Sequence, residues 1–459
     1  MRVTEGFSRI DQELCTGCGN CISPCPADAI TGERHKPHTI SEERCVGCGR
    51  CVQVCSAYDT VFEEHATTRA ARLEQRALPS SLAEPLFATY DHCFISAVNK
   101  ALADPKRFVL AQCGPAVCSA VAEDFGLPAG SVPPGRIVAA LKKIGFRKVY
   151  DFSLPAALAV TEEAHELVHR LQSGGILPII NSSCPAAVKF IEQFHPELIH
   201  YLAGCKSPHM VAGVLLKSFV AKTMNLDAAH VYSVSIGPCT SRKFEAGRPE
   251  MSAGGFQHVD AVLTTRELAY MIKDSGIDLV NIAGQPYDSE LPVIPETEDS
   301  YCDPGGVSES VLRASGGLLQ QSGSLDVKFA DTESEGVRTA SVQLGEFKVK
   351  AVAITGLTAA VPFFDAIKEG KNEIAFMELL ACPMGCVSGG GQPKVLLPQE
   401  KTAVYTSRAG VHSVVAKNRE GIAQNPAVQR IYKECFAKTP GDKSNRALQT
   451  QYQERKIGI

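Results

Sequence analysis

An α/β fold with mostly parallel sheets is predicted for the centre of this 459-residue chain, behind a small α+β N-terminal module and ahead of a helical tail. Three observations carry the prediction. Short β-branched runs alternate with helical stretches through residues 91–398, a cysteine pattern repeats within residues 1–62, and residues 399–459 are polar and helical in pattern. The runs Arg107–Ala111, Ile176–Ile180, Val231–Ile236, Asp260–Leu263 and Val349–Ile354 read as buried strands, being apolar and too short for helices. Ala156 to Gln172 reads as a helix. Such alternation lays helices over a parallel sheet and puts ligands at the strands' carboxyl ends, where Cys184 and Cys239 fall. Residues 63–90, charged and alanine-rich, read as a linker helix.

The chain is too long for one ordinary core, so two or three domains are expected, and their burial is ample without disulfides. Stability therefore does not account for 18 clustered cysteines. The N-terminus MRVTEGFSRI has no apolar signal segment, which with the cysteines argues for metal ligation in a reducing compartment, the cytoplasm by default. No run approaches the roughly 18 apolar residues of a membrane helix. A net charge of -4 leaves no electrostatic footprint for nucleic acid.

The repeat is Cys15-x-x-Cys18-x-x-Cys21-x-x-x-Cys25-Pro26, then Cys45-x-x-Cys48-x-x-Cys51-x-x-x-Cys55-Ser56. It resembles the bacterial two-cluster ferredoxin run, in which three thiolates wrap one cubane and the fourth crosses to the other. That resemblance implies one 4Fe-4S cluster on Cys15, Cys18, Cys21 and Cys55 and a second on Cys45, Cys48, Cys51 and Cys25. Paired zinc ribbons are the rival. Zinc sites use C-x-x-C pairs, but a third cysteine at the same spacing and a Cys-Pro ending are not their habit.

A second pattern lies far downstream. Phe376-Met-Glu-Leu-Leu-Ala-Cys382-Pro-Met-Gly-Cys386-Val-Ser-Gly-Gly-Gly-Gln-Pro393 supplies two thiolates before three glycines, which would let backbone amides approach an anionic cluster. Asn181-Ser-Ser-Cys184-Pro185 and Gly237-Pro-Cys239-Thr-Ser-Arg-Lys-Phe-Glu245 each offer one more. The three segments, in this order, resemble the active-site motifs of the iron-iron hydrogenases, and the resemblance extends over nearly the whole chain. It implies a two-lobed catalytic domain over 91–398, a small-subunit-like tail over 399–459, and an H-cluster: a cubane on Cys184, Cys239, Cys382 and Cys386, joined through Cys386 to a two-iron unit with carbonyl, cyanide and dithiolate ligands.

By motif position, Arg242 stands where the family has a cyanide-donating lysine, and Gly114-Pro115-Ala116 where a segment faces the other cyanide. Tyr301, Cys302 and His209 also fall at pocket positions, and Gly237 and Leu380 replace frequent methionines. The family's proton relay ends in a cysteine, here Ser183, and is fed by residues matching Glu163, Glu166 and Arg170; its serine becomes Ala203. Cys302 is the candidate substitute donor. Cys93, Cys118, Cys205 and Cys435 read more simply as small buried apolar groups, and Glu166 with Arg170 as an ordinary helical pair.

The resemblance implies a hydrogenase exchanging electrons with ferredoxin or a similar redox protein, acting on dihydrogen and protons, and loaded by maturation factors. A slow hydrogen sensor and a non-catalytic iron-sulfur carrier or assembly protein are the other readings.

Overall fold

A computed structural model describes residues 7–59, 66–80, 82, 84–294, 300–320, 325–396, 399–413, 422–436 and 447–455. The boundaries placed at 62/63 and 398/399 fall on or beside residues outside that set.

Phe108–Cys113 is buried over nearly its whole length, as a central parallel strand must be. It sits inside a four-stranded sheet ordered Ala261–Thr264, Val231–Gly237, Phe108–Cys113, Lys148–Asp151, every pairing parallel. The helices Ile95–Ala103, Pro134–Ile144 and Thr265–Asp274 pack their apolar residues on it. The last starts with a capping box, the Thr264 hydroxyl accepting from Glu267 N while the Glu267 carboxylate accepts from Thr264 N.

A second sheet runs Ala330–Asp331, Val337–Leu344, Phe347–Thr355, Phe376–Leu380, Ile179–Ile180. Its first two pairings are antiparallel and its last two parallel. The mostly parallel α/β fold is therefore present, in two sheets. The expected strand Ile176–Ile180 shrinks to Ile179–Ile180, since Pro178 has no N–H for a ladder. The long helix Ser153–Ser173 starts three residues earlier than Ala156, where Asp151 Oδ1 accepts from Ser153 N at 2.7 Å. Its buried N-terminal half belongs to the largest apolar core, which also takes in residues of both sheets.

In the N-terminal module Arg9–Ile10 pairs with Thr89–Tyr90, and Ile30–Thr31 with Thr39–Ile40. The helix Ala66–Gln75 lies in the region read as a linker, yet arginines fasten it to the module: Arg69 NH1 donates to both Asp59 oxygens (2.9 and 2.7 Å), and Arg72 and Arg76 both reach Asp11.

The C-terminal segment packs on the two-sheet region through buried polar contacts. Tyr432 OH donates to Glu162 Oε1 at 2.7 Å, and the backbone of 448–450 bonds that of 204–206. Glu192, fully buried, accepts from Arg248 NH1 (3.1 Å) and NH2 (2.5 Å) and from Arg455 Nε (2.8 Å). Removing one member of a buried ion network costs about 3–5 kcal/mol, because the others stay buried without counter-charge. Glu192→Ala should accordingly lower the denaturant midpoint and free the C-terminal segment for proteolysis. An unchanged midpoint and digestion pattern would show that the tail is held elsewhere.

Candidate active site

The three cysteine segments converge because each leaves the carboxyl end of a parallel strand. Cys184 follows Ile179–Ile180 and is the N-cap of the helix Pro185–Phe194; Cys239 follows Val231–Gly237; Cys382 and Cys386 follow Phe376–Leu380. All four line one cavity, with Phe152, Val307 and Leu380 among its apolar walls. Gly114, Pro115, Ala116, Ser183, Arg242, Tyr301 and Cys302 line it too.

Among the described residues no three Cys, His or carboxylate side chains converge tightly enough for a single metal ion. The four cysteines instead line one cavity. A cubane needs that arrangement, since each thiolate binds its own iron, whereas zinc needs its ligands about one point. Burial pushes the Cys184 thiol up to about 12 and the Cys382 thiol well above its ordinary value. Iron binding would therefore release protons on forming the thiolates. Cys386 is raised first by its hydrogen bond with Cys302 and then by burial.

Arg242 gives the cavity its polarity. Its side chain is 7 % exposed, and Nε and NH1 have no hydrogen-bond partner. Two orphaned cationic donors in a buried wall call for an anionic acceptor. A Cβ on Gly237 would stand 2.7 Å from NH1, so a side chain there would have to displace the guanidinium from its present place. Lys243 is turned away, ion-paired with Asp91 (2.6 Å) and Glu267 (2.9 Å). His209 is not brought to the cavity wall: its Nε2 lies 2.6 Å from Glu245 Oε2, and burial lowers its pKa.

Glu163, Glu166 and Arg170 lie on one side of the long helix, buried at Glu163 and partly exposed at the other two. Glu166 pairs with Arg170 and accepts from Gly204 N at 3.3 Å. Ala203 is buried and offers no side-chain donor. Sequence reasoning missed Asn181. Its Nδ2 donates to both oxygens of Glu163, each at 2.7 Å, and to Ser183 Oγ at 3.1 Å. Ser183 Oγ is also 2.6 Å from the Tyr301 hydroxyl, one donating to the other. An amide thus stands between Glu163 and the cavity wall. The only signal was a polar residue two before Ser183.

The triple glycine serves packing more than cluster approach. A Cβ would lie 2.4 Å from Pro238 O at Gly389, 2.7 Å from Cys48 O at Gly390, and 2.6 Å from Thr264 Cγ2 at Gly391. Two unforeseen side chains hold the loop. Arg408 of the tail donates to Val387 O and Pro393 O at its two ends (3.0 Å each) and is neutralised by Glu123. Gln53 of the N-terminal module donates to the carbonyls of Gly389, Gly390 and Gln392.

In that module Cys25, Cys45, Cys48 and Cys51 line one small cavity. Cys15, Cys18 and Cys55 are the charged neighbours that, after burial, raise Cys21, whose thiol is pushed up to about 11. Backbone N–H groups of His38, Thr89, Ala29 and Gly47 point at the sulfurs of Cys15, Cys55, Cys25 and Cys45 at 3.3–3.4 Å. Such donors favour reduced iron-sulfur clusters.

Fold and site together define a protein of iron-sulfur type, with a cysteine-lined cavity beside a module that carries two four-cysteine runs. Residues 107–390 match the family described as the iron only hydrogenase large subunit, C-terminal domain, and residues 8–62 match the 4Fe-4S dicluster domain. The chain is 37 % identical over 391 residues to the periplasmic iron hydrogenase large subunit of Nitratidesulfovibrio vulgaris, covering 84 % of this chain and 86 % of that one. A solved apo FeFe hydrogenase of Chlamydomonas reinhardtii superposes with a TM-score of 0.70 at 26 % identity, over 80 % of this chain and 99 % of that one. Cytosolic iron-sulfur assembly component 3 of Mus musculus is 26 % identical over 369 residues, 78 % of this chain and 77 % of the relative. The chain belongs to the iron-only hydrogenase family. No helix of the described residues is long and apolar enough to cross a membrane.

Burial raises the Glu163 carboxyl to about 8. A folded-state pKa above the unfolded one means that the native state binds more protons between about 4.5 and 8, so this group's contribution to stability is full below that window and is lost as pH rises through it. Glu163→Gln should flatten that loss, so that the mutant gains on the parent by up to a few kcal/mol between pH 5 and 9. Parallel denaturation midpoints across that range would contradict a buried, protonated Glu163.

Proposed function

We propose that the chain is a hydrogenase interconverting protons plus electrons with dihydrogen, its electrons relayed by two 4Fe-4S clusters. The observation that carries this reading is Arg242, whose buried, unpartnered Nε and NH1 belong to a cavity ringed by four cysteines. A plain cubane carrier has no need of two such donors. When bound, the two-iron unit supplies the centre at which dihydrogen is split or formed.

The chain's own residues then have separable tasks. Cys184, Cys239, Cys382 and Cys386 would hold the cubane, with Cys386 shared. Arg242 would donate to an anionic cyanide, and Phe152, Val307 and Leu380 keep water out, which strengthens that bond. Ser183 Oγ and Cys302 Sγ are the proton-holding atoms on the wall. Of the two side-chain types, a thiol releases its proton far more readily than an alcohol. Gly390 packed on Cys48 and Gly49, with Thr240 Oγ1 donating to Gly47 O at 2.7 Å, supports a short electron path from the second cluster. The cytoplasm, a ferredoxin-like partner and maturation factors complete the reading.

A slow hydrogen sensor is the second reading, and Asn181 favours it. A primary amide offers donors on nitrogen but no readily exchanged acid proton, so Glu163 cannot hand a proton directly to Ser183 along this line.

Infrared spectra of anaerobically matured protein should contain carbonyl and cyanide bands. Cys386→Ser should abolish them, while Cys15→Ser keeps them and mainly slows electron entry. A carrier or assembly protein would give no bands in the parent chain.

Cys302→Ala should lower hydrogen evolution by tenfold or more, about 1.4 kcal/mol of barrier per factor of ten, with the bands intact. Ser183→Ala should matter little. The reverse order of severity would assign the proton route to Ser183 and Glu163.

A further inference from the structure

The helix that starts at Cys184 carries, one and a half turns on, a lysine aimed at the other iron-sulfur site. Lys189 is 3 % exposed, and its Nζ donates to the Cys45 carbonyl at 2.6 Å. The ammonium lies 3.8 Å from the Phe7 ring centre and 4.3 Å from that of Phe244. Those rings and one carbonyl are its recorded company. Among the described residues no carboxylate comes within ion-pair distance of it.

The nearby carboxylates are already committed. Glu192 is bound by Arg248 and Arg455, and Glu250 pairs with the same two arginines. Glu245 holds His209. None of these three carboxylates is within ion-pair distance of Lys189, whose buried ammonium therefore lies beside Cys45 without a direct counterion. A buried ammonium without a counterion costs several kcal/mol.

We propose that Lys189 is the electrostatic tuning residue of the cluster held by Cys25, Cys45, Cys48 and Cys51, raising its reduction potential so that electrons collect beside the active-site cavity. The inference rests on the reading that these four cysteines hold a 4Fe-4S cluster. Iron and thiolates together would provide the negative charge that Lys189 lacks. On reduction the cluster gains one electron from its neighbour or an external donor, with no bond made or broken, and its charge becomes more negative by one. A fixed cation at short range in a low-dielectric setting stabilises the reduced form more than the oxidised form. Lys189 touches neither hydrogen nor the reacting metals, so its effect is on where the electron rests.

The test is a potentiometric titration of the full chain, reconstituted with iron and sulfide and reduced stepwise with dithionite. The signal is followed by electron paramagnetic resonance and assigned by its loss in Cys45→Ala. Lys189→Met keeps the aliphatic stem and removes the charge. It should cut the reduced-to-oxidised ratio at fixed potential by about tenfold, a shift of about 59 mV to lower potential for one electron. Lys189→Arg should restore most of the difference. If Lys189→Met loses iron, Lys189→Gln, which retains an N–H donor for the Cys45 carbonyl, is titrated in its place. An unshifted potential at full iron content overturns the tuning role, since a purely structural lysine would alter the denaturation midpoint alone. Zinc or fewer than two clusters in the parent module would instead overturn the cluster reading on which the inference rests.

Discussion

A Cβ at Gly390 would stand 2.7 Å from both the Cys48 carbonyl and Gly49 Cα, and the whole arrangement depends on its absence. Four thiolates from three distant segments can surround one cavity only if the 382–393 loop lies flat against Pro238 on one side and Thr264 on the other. The same flatness lets the N-terminal module sit directly on the loop. Gln53 satisfies three of its carbonyls, so the close approach leaves few backbone acceptors unpaired. One steric rule thereby sets both the shape of the cysteine-lined cavity and its proximity to the second cysteine cluster.

Around that contact, buried charges follow a consistent pattern. Structural cations are matched: Lys243 by Asp91 and Glu267, Arg408 by Glu123, Arg248 by Glu192. Glu378 is matched by the N–H groups of Gly305 and Ser308 and so fixes the start of the helix Gly306–Leu318 beside Tyr301 and Cys302. Three buried cations, Arg242, Lys189 and Lys206, have no ion-pair partner among the described residues. Lys206 is held by the Ala447 carbonyl of the tail, whereas Arg242 leaves two nitrogens unpaired in the wall of one cysteine cluster and Lys189 lies beside the other. Since an unmatched buried charge costs several kcal/mol, an anionic group bound at either cysteine cluster would stabilise the cation next to it.

Cysteine spacing was legible in the sequence because chain geometry limits which thiolates can share a cluster, and the strands ending in Cys184 and Cys239 were legible because buried parallel strands are short apolar runs. Other features depend on facts that spacing does not carry. Arg242 and Lys243 are adjacent, and only the helix Ser241–Ala246 decides that Arg242 meets the cavity while Lys243 meets Asp91. His209 shares a helix face with no cavity residue and ends against Glu245. Arg408 lies in a polar helix of the tail, where nothing local distinguishes it from its exposed neighbours. The strand Val337–Leu344 escaped because its alternation uses Thr and Ser rather than large apolar residues.

The residues of the pocket wall are physically linked rather than independent. Gly237, before Pro238, leaves free the volume that the Arg242 guanidinium fills, and the cation also lies 5.4 Å from the Phe152 ring centre. Elsewhere on the wall the Ser183 hydroxyl meets that of Tyr301 at 2.6 Å, and the Cys302 thiol hydrogen-bonds with Cys386. A guanidinium with two unpaired nitrogens in a buried wall is costly in a cavity that holds nothing anionic, so the pocket's geometry is that of a site suited to an anionic group.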